Sequence, residues 1–475
     1  MQGFLDELVR THASDSRIRV LRSTNGGIAI ACNRALECVS SSWFGWLDHD
    51  DRLNPRAVEL VSQFLANNQA ADIVYSDEDK IDILDRHFDL NCKPDFSPEL
   101  LLSQMYLCHF TAFRTELVRQ VGGFRTSMDG AQDFDLALRL LPHVSEVLHI
   151  PHPLYHWRAW EQSTARSIEA KPWAQQAAQR AQMDYLQRAF GGGDVVAATV
   201  KGLNEIHPRI AGSPTVTVIV PTGGARGKGG VRLVDAAVAS LRDKERLNLE
   251  VVAVTTGVME AIPGVDKQIV YNPQGEFNFS EAINLGRRHS AGEYLFLMND
   301  DTSVVDENPV MRLLEIGQVP GVGITGSLLT YPDGRIQHAG IVLLPSGPTH
   351  VHLGKPGSWP GYFGSTLTPR NFSAVTAAAM LVRTAVFDQV GGFDTNFARD
   401  FNDIDFCLRV REVGYRVAWT PYAHLTHHEG ASIVRSTADP QEAAMFADRW
   451  AAALNSDPFY SPALHHTLPR IYEAL

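Results

Sequence analysis

The sequence predicts an α/β protein that contains two copies of one domain, each with helices packed on a mostly parallel sheet. Three observations support this fold class. Apolar runs typical of buried strands alternate with helical segments along the chain. Two phrases recur, because "RTELVRQVGGF" returns as "RTAVFDQVGGF" and "QDFDLALR" returns as "NDIDFCLR". In each half an apolar run ends in clustered acids, as "GWLDHDD" and "FLMNDD".

Length, composition and charge restrict the class of protein. The chain has 475 residues, enough for two or three domains, and its 44% hydrophobic and 20% charged residues are typical of soluble globular proteins. A formal net charge of −12 argues against nucleic acid as a partner. The five cysteines have no C-x-x-C spacing, which argues against a zinc site and a disulfide framework and favours the cytoplasm. Because no apolar run is long enough to span a membrane, we expect at most peripheral contact with the inner membrane.

The repeat is defined by residues that recur at matching positions. The equivalent pairs are Asn33 and Asn284, Asp50 and Asp301, Asp133 and Asp403, and His156 and His427. In each copy the asparagine stands 17 residues before the first aspartate. The two copies are 251 residues apart at the first aspartate, 270 apart at the second aspartate and 271 apart at the histidine. The second copy therefore has about twenty extra residues in its middle, as expected for a duplicated domain that has diverged.

The predicted elements follow this order along the chain. "TVTVIVP" is a buried strand, and "SEAINLGRRHSA" is a helix with Ser280 as its N-cap. Between the copies, "AQQAAQRAQMDYLQRAFGGG" is a helix that ends at glycines and leads into a proline-bearing linker. The predicted boundaries are 1–168 for the first copy, 169–213 for a helical linker, 214–440 for the second copy and 441–475 for a C-terminal helical tail.

The first copy is shorter than the second at its N-terminal end. Only 49 residues precede Asp50, whereas Asp301 follows a strand, a helix and a second strand that have no counterpart in the first copy. We therefore expect the reading frame upstream of Met1 to encode a strand ending in proline, a helix and a strand ending in an acid. Translation of the upstream DNA tests this, and an in-frame stop codon directly before Met1 would contradict it.

The acids that follow the apolar runs are candidate metal ligands. In an open α/β fold they would lie at the carboxyl edge of the sheet, where such folds bind ligands. Carboxylates there can hold Mg²⁺ or Mn²⁺, which neutralises a diphosphate. Histidines that follow the later aspartate by 23 and 24 residues, His156 and His427, could complete each site. The alternatives are a solvated strand-to-loop turn for the acids and a solvated loop position for each histidine.

The acids at the start of a helix in "NDIDFCLR" have different predicted roles. Asp403 can act as a general base that removes a proton from a sugar hydroxyl, and Asp133 is its counterpart. Asp405 stands four residues before Arg409, so a plain surface ion pair accounts for it.

Other acidic, basic and histidine-containing stretches have structural interpretations. "GGARGKGG" fails the spacing of a phosphate-binding loop and is expected to be a flexible surface loop. "YSDEDKID", from Tyr75 to Asp82, is expected to be a solvated acidic turn, with a substrate role as the alternative. His350 and His352 have no equivalent residues in the first copy and are expected to be structural.

Taken together, these motifs resemble those of a known family. The second copy carries "VTVIVPT", "FNFSEAINLG", "GEYLFLMNDDTSV", "FSAVTAAAMLVR", "FNDIDFCLR" and "HHEGAS", and the first carries "WLDHDDRLNP", "IVYSDEDKID" and "GAQDFDLALRL". The chain resembles tandem family 2 glycosyltransferases of bacterial polysaccharide and O-antigen synthesis. The resemblance implies two tandem GT-A domains, the Rossmann-like α/β fold of nucleotide-diphospho-sugar transferases, with the first domain truncated at its N-terminus.

The resemblance also implies roles for individual residues. Asp301 would bind the metal, Mg²⁺ or Mn²⁺, as would Asp48 and Asp50 in the first copy. Asp403 would be the base of an inverting displacement, with Asp133 as its counterpart. The residues implied in donor binding are Pro221, Thr222, Asn284, Asn299 and Asp300. The partners would be a nucleotide-diphosphate sugar and a growing cell-surface glycan or lipid-linked glycan acceptor.

Two further hypotheses remain open. A non-catalytic glycan- or nucleotide-binding scaffold is favoured by the second strand of the second copy, "VVAVTTG", which lacks the acid that the family uses to hold the nucleotide. A nucleotidyltransferase would need a basic glycine-rich phosphate loop, and "GGARGKGG" lacks the required spacing. Retention of Asp301 and Asp403 favours catalysis over a scaffold.

Overall fold

The computed structural model describes residues 6–7, 10–11, 15–159, 172–227, 229–273, 275–428, 438–466 and 472. Helices α1 to α13 are, in chain order, Ile28–Glu37, Ala57–Asn67, Pro98–Ser103, Thr115–Gln120, Gln132–Leu140, Pro172–Phe190, Leu233–Lys244, Phe279–Arg288, Pro309–Gly317, Thr384–Gln389, Asn402–Glu412, Pro440–Arg449 and Ala451–Leu454. Strands β1 to β10 are Trp43–Gly45, Arg52–Leu53, Ile73–Ile81, His87–Asn91, Thr111–Arg114, Val147–Arg158, Gly193–Ala197, Asn204–Pro208, Val216–Thr222 and Leu249–Thr256. Strands β11 to β20 are Lys267–Tyr271, Tyr294–Met298, Thr302–Val304, Val322–Thr330, Ile336–His338, Ile341–Leu344, Gly347–His350, Arg370–Asn371, Ala379–Arg383 and Arg416–His427.

Each half of the chain builds its own sheet, and both sheets are mixed. The first has the order β1-β5-β3-β6-β2 with β4 on β3, and only β3 and β6 run parallel. The second has the order β11-β10-β9-β12-β19-β14-β20-β13, in which β19 runs antiparallel to both of its neighbours. The expectation of a mostly parallel sheet is wrong for the first sheet. It holds for the second, in which β11, β10, β9, β12, β14 and β20 run in one direction and β19 and β13 run in the other. Helices cover both faces of these sheets, so strands of either direction have apolar side chains on both faces. An apolar run therefore predicts a covered strand but does not predict the direction in which that strand runs.

Helices pack on both faces of each sheet. In the second half, Ile219 of β9 packs with α8 and α11, whereas Val218 and Val220 pack with α7 and α9 on the opposite face. In the first half, neighbouring residues of β3 divide in the same way, since Ile73 packs with α1, α4 and α5 and Val74 packs with α2. This alternation is the period of two of a β-strand, and it confirms the α/β layering.

Strand β3 overturns one local expectation. The acidic stretch from Tyr75 to Asp82 is not a solvated turn, because most of it forms β3, where Asp77 is fully buried. Asp77 accepts hydrogen bonds from the Lys93 backbone N–H at 2.7 Å and contacts His149 Nε2 at 2.9 Å. Both contacts are made by Oδ1, so they compensate the loss of water at that oxygen, whereas Oδ2 is buried without a hydrogen-bond partner among the described residues.

Two other local expectations also change. The cap of α8 is Asn278, whose side chain accepts from the Glu281 N–H at 3.0 Å, while the Ser280 hydroxyl donates to the Phe397 carbonyl at 2.6 Å. The linker helix is confirmed as α6, but the segment after it contains the antiparallel hairpin β7–β8. The predicted boundary at 168 and the end of the "HHEGAS" motif lie outside the described residues.

The two halves share an interface. One apolar cluster contains Tyr75 and Leu101 from the first half and Val322 and Ala418 from the second. Beside it, the fully buried carboxylate of Glu99 accepts from Arg416, with Nη2 2.7 Å from Oε1. Among the described residues, no helix has the length and apolar character needed to cross a bilayer.

Candidate active site

The acids that follow β12 lie at the carboxyl edge of the second sheet. Asp300 and Asp301 are 8% and 6% exposed. Asp300 Oδ2 accepts a hydrogen bond from the Thr222 hydroxyl at 2.6 Å, so it is held by the end of β9. Burial raises the pKa of the Asp300 carboxyl to about 6. The Asn299 N–H donates to the Ala378 carbonyl at 3.0 Å, which ties this edge to β19.

Asp301 forms a pair with His427. The β13–β20 ladder pairs Thr302 with His427, and this pairing brings His427 Nε2 to 3.0 Å from Asp301 Oδ1. The other ring nitrogen, Nδ1, lies 2.8 Å from Gln337 Oε1. Since an amide oxygen only accepts, this contact orients the His427 ring with Nδ1 toward Gln337 and Nε2 toward Asp301. The sequence interpretation missed Gln337, which has no equivalent in the repeated phrases.

Asp403 lies at the start of α11, as predicted. Its Oδ2 accepts from the Ala377 N–H at 3.1 Å and its Oδ1 from the Ile404 N–H at 2.9 Å. Burial raises the pKa of the Asp403 carboxyl, and the hydrogen bond from Ala377 opposes that rise. Because Ala377 and Ala378 are adjacent, the segment before β19 connects Asp403 to the carboxyl edge of the sheet at Asn299.

Two histidines next to Asp403 were not predicted as part of the site. His350 interacts electrostatically with Asp403, and its Nδ1 lies 3.1 Å from Nδ1 of His338. Burial lowers the pKa of the His338 imidazole well below its usual value, so this ring is neutral. His352 contacts the Ser365 hydroxyl at 2.6 Å. His338 lies in none of the repeated phrases or acid clusters, so no role was predicted for it.

The C-terminal helix α12 supports the loop that precedes Asp403. Glu442 accepts from the backbone N–H of Ala398 at 3.0 Å and of Asp400 at 2.7 Å. The helix thus fixes the approach to α11 from outside the repeat, which repeat-based reasoning could not detect.

Asn284 occupies a structural position. Its side-chain amide donates to the Phe393 carbonyl at 2.8 Å and accepts from the Phe393 N–H at 2.9 Å. Asn33 makes the same two contacts with Phe124 in the first copy, both at 2.8 Å. This asparagine recurs because its side chain forms two hydrogen bonds that join a helix to the Gly-Gly-Phe loop in each copy. Pro221 and Thr222 end the fully buried β9.

The first copy arranges its acids differently. Asp48 is exposed and Asp50 is half-buried. Asp51, which was not singled out, accepts from the Tyr155 hydroxyl at 2.5 Å and from the Arg158 N–H at 2.8 Å. Asp133 accepts from the Phe134 N–H at 2.8 Å, and burial raises the pKa of its carboxyl, as for Asp403.

The strand register changes the partners of His156. In the first copy Arg52 pairs with His156, whereas in the second Thr302 pairs with His427. Because Asp50 is equivalent to Asp301, the first-copy residue equivalent to Thr302 stands opposite Trp157. Trp157 therefore corresponds to His427, and the preceding residue His156 corresponds to Thr426. Adjacent residues of a strand point to opposite faces. His156 is therefore not the equivalent of His427 in a site with Asp48 and Asp50; its Nδ1 lies 2.6 Å from Asp79 Oδ1 instead.

The second half thus places a carboxylate–imidazole pair at the carboxyl edge of an α/β sheet, where open α/β folds bind ligands, and a buried carboxylate at a helix start. Residues 3–122 match the family model of glycosyl transferase family 2. The chain carries a family 2 glycosyltransferase domain, which confirms the family that its motifs indicated.

The chain is also similar to two long bacterial proteins. It is 38% identical over 476 residues to the uncharacterized protein y4gI of Sinorhizobium fredii, covering 95% of this chain and 52% of that protein. It is 34% identical over 482 residues to the O-antigen biosynthesis protein RfbC of Myxococcus xanthus, covering 95% of this chain and 36% of RfbC. The chain thus spans about half of the first relative and about a third of the second.

One solved structure also resembles part of the chain. GalNAc-T7 with UDP, GalNAc and Mn²⁺ is 12% identical, with a TM-score of 0.39, over 52% of this chain and 50% of that one. A similarity of this degree supports no argument about ligands here.

Proposed function

We propose that this protein is a glycosyltransferase of polysaccharide biosynthesis. It moves a sugar from a nucleotide-diphosphate donor to a glycan or lipid-linked glycan acceptor. The observation that carries the proposal is the connection of Asp301 and His427 to Asp403 through residues 376–378 of the second copy. The family 2 match and the similarity to RfbC support the reaction class. In this proposal the protein contains two tandem GT-A domains, works in the cytoplasm and contacts the inner membrane at most peripherally.

The donor set of Asp301 and His427 fits a divalent cation. A carboxylate oxygen and an imidazole nitrogen lie 3.0 Å apart, and the contact of Gln337 with Nδ1 orients the His427 ring so that Nε2 faces Asp301. The two residues leave positions for diphosphate oxygens and water, which suits Mn²⁺ or Mg²⁺. When bound, the cation supplies positive charge that stabilises a diphosphate leaving group. Asp300 accepts a hydrogen bond from the Thr222 hydroxyl and so orients the end of β9, which would lie beside the nucleotide-sugar donor.

Asp403 acts as the general base of an inverting displacement. Its carboxylate lies at the start of α11 and is held by the Ala377 N–H, so it can take the proton of an acceptor hydroxyl as that oxygen attacks the anomeric carbon. The raised pKa makes it a stronger base than an ordinary aspartate.

We expect donor binding to need a divalent cation, and Asp301→Ala to remove both this dependence and most of the affinity. The reason is that a chain with a net charge of −12 must neutralise a diphosphate locally. Calorimetric titration of nucleoside diphosphates with Mn²⁺ and with EDTA measures this. Asp388→Ala is the control, because Asp388 pairs with Arg287 on the surface. Equal affinities in Mn²⁺ and EDTA would contradict the proposal.

The scaffold hypothesis remains the alternative. Strand β10 ends in threonines, and the Thr255 hydroxyl donates to the Gly257 carbonyl at 3.0 Å instead of offering a carboxylate to a nucleotide. Under this hypothesis the chain binds a nucleotide or glycan and does not turn over any nucleotide sugar in the presence of an acceptor. A donor screen that measures both binding and release of nucleoside diphosphate separates the two functions.

A further inference from the structure

The first copy contains a second group of possible metal ligands that does not include the predicted acids Asp48 and Asp50. Asp79 Oδ1 lies 2.6 Å from His156 Nδ1, and Asp79 Oδ2 lies 2.8 Å from His87 Nδ1. The three side chains offer one ligand atom each, all within 4.8 Å of one another. One carboxylate thus gathers two imidazoles, whose rings meet edge to face with centroids 4.6 Å apart.

The sheet itself positions these ligands. Asp79 on β3 pairs directly with His156 on β6, and Ile81 near the end of β3 pairs with His87 at the start of β4. Asp82 closes the turn between β3 and β4 by accepting from the N–H groups of Leu84 at 2.7 Å and Arg86 at 3.0 Å. The three side chains are therefore fixed by strands and a tight turn, as a preformed site requires.

The group is specific to the first copy. Asp79 and His156 form a pair in the β3–β6 ladder. The equivalent pair in the β14–β20 ladder of the second copy is Thr330 and Thr426. Neither threonine is a usual metal ligand. The group is therefore distinct from the site formed by Asp301 and His427.

A ligand can reach the group from the space between the two halves. Asp79 lines a cavity of about 580 Å³ that is also lined by Trp157 of the first half and by Tyr362 and Arg370 of the second. The His87 side chain is 56% exposed, whereas those of Asp79 and His156 are 10% and 12% exposed. Two ligands are thus shielded and the third is accessible.

We propose that Asp79, His87 and His156 bind a Zn²⁺ ion, with water in the remaining position. Two imidazole nitrogens with one carboxylate oxygen are a typical donor set for zinc, and three protein ligands leave one position open. The cysteine spacing argued against a zinc site, but it has no bearing on this donor set. The bound ion connects the β3–β4 hairpin to β6 at the wall of the cavity.

Metal binding would require a small expansion of the group. Zinc–ligand bonds of about 2.0–2.1 Å in a tetrahedral site put ligand atoms roughly 3.3 Å apart, more than the hydrogen-bonded distances found here. The Nδ1 proton of a neutral imidazole that now faces Asp79 would move to Nε2 of the same ring, which frees the Nδ1 lone pair for the ion. Because a protonated imidazole has no free lone pair, zinc binding should weaken as the pH falls.

The test is a calorimetric titration of the full chain, without a histidine tag and freed of metal, with ZnCl₂. The titration is carried out on the Asp301→Ala variant, which lacks the metal site proposed at Asp301 and His427. We expect one Zn²⁺ per chain in the micromolar range or tighter, with weaker binding at lower pH. His87→Ala should weaken binding at least tenfold. His152→Ala, which removes an exposed histidine from β6, should leave it unchanged.

A second measurement separates a site from loss of structure. Circular dichroism should show that His87→Ala remains folded, because its side chain is exposed. Co²⁺ should give strong visible absorption in the Asp301→Ala protein and lose it in the Asp301→Ala, His87→Ala protein. Binding only at millimolar zinc, or equal affinity with and without His87, would overturn the proposal and leave a hydrogen-bonded Asp–His–His group. These outcomes do not depend on glycosyltransferase activity.

Discussion

Asp403→Asn is expected to lower the rate of sugar transfer by roughly 10²–10⁴-fold, the usual contribution of a general base. The fold and the donor affinity should change little, because the asparagine carbonyl oxygen can still accept from the Ala377 N–H. The measurement is the initial rate of transfer, with the donor that binds best in calorimetry. In the wild type the rate should fall at acidic pH with an apparent pKa above that of an ordinary aspartate, because the base must be deprotonated and burial raises its pKa.

The rates of the Asp133→Asn and Asp400→Asn variants should be measured beside that of Asp403→Asn. Asp400 is near Asp403 in the chain, but its Oδ2 accepts from the Asp439 N–H at 2.9 Å and joins the loop to α12. We expect Asp400→Asn to retain transfer. A rate for Asp403→Asn within a few-fold of wild type would show that the base lies elsewhere, and Asp133 would then be the next residue to test.

Asp405→Asn is expected to lower the free energy of unfolding by roughly 3 kcal/mol, the order of the cost of breaking a buried ion pair. Asp405 is fully buried, and it accepts from Arg409 Nε at 2.8 Å, Arg449 Nη1 at 2.8 Å and Trp450 Nε1 at 3.1 Å. The neutral amide would leave Arg409 without its carboxylate and Arg449 with only the half-buried Asp394. Urea denaturation followed by circular dichroism measures the change.

Two controls calibrate this effect. Asp135 is 1% exposed and pairs with Arg125 and Arg139, so Asp135→Asn should cost a similar amount. Asp388 pairs with Arg287 at the surface, and Asp388→Asn should cost at most about 1 kcal/mol. Equal losses for Asp405→Asn and Asp388→Asn would contradict a special role for burial.

The comparison of Asp403 with Asp405 shows how much of the site was predictable from the sequence. The repeat and the acid-rich helix start located both residues on α11 correctly. Asp405 was expected to form a surface pair because the i,i+4 spacing to Arg409 is a local feature. Its burial depends on Arg449 and Trp450, which lie beyond the repeat. Sequence spacing detects partners one helical turn away but not partners brought by tertiary packing.

The misassigned histidine has a different cause. Offsets of 270 and 271 residues look equivalent in a sequence, but one residue in a strand changes the face on which a side chain lies. A constant offset of 270 would have aligned His156 with Thr426 and separated it from His427. The acids of β3 were unpredictable for another reason. A buried carboxylate needs partners, and Asp77 finds one in His149, 72 residues later in the chain.

The ion pair between the two halves has a consequence for the synthesis of the chain. Glu99 and Arg416 are separated by 317 residues. At about 5–20 residues per second, on the order of 15–60 s pass on the ribosome between the two. During this time Glu99 and the apolar residues around it have no partner from the second half. The nascent first half must therefore wait, exposed to chaperones and proteases, until the chain has emerged as far as Arg416.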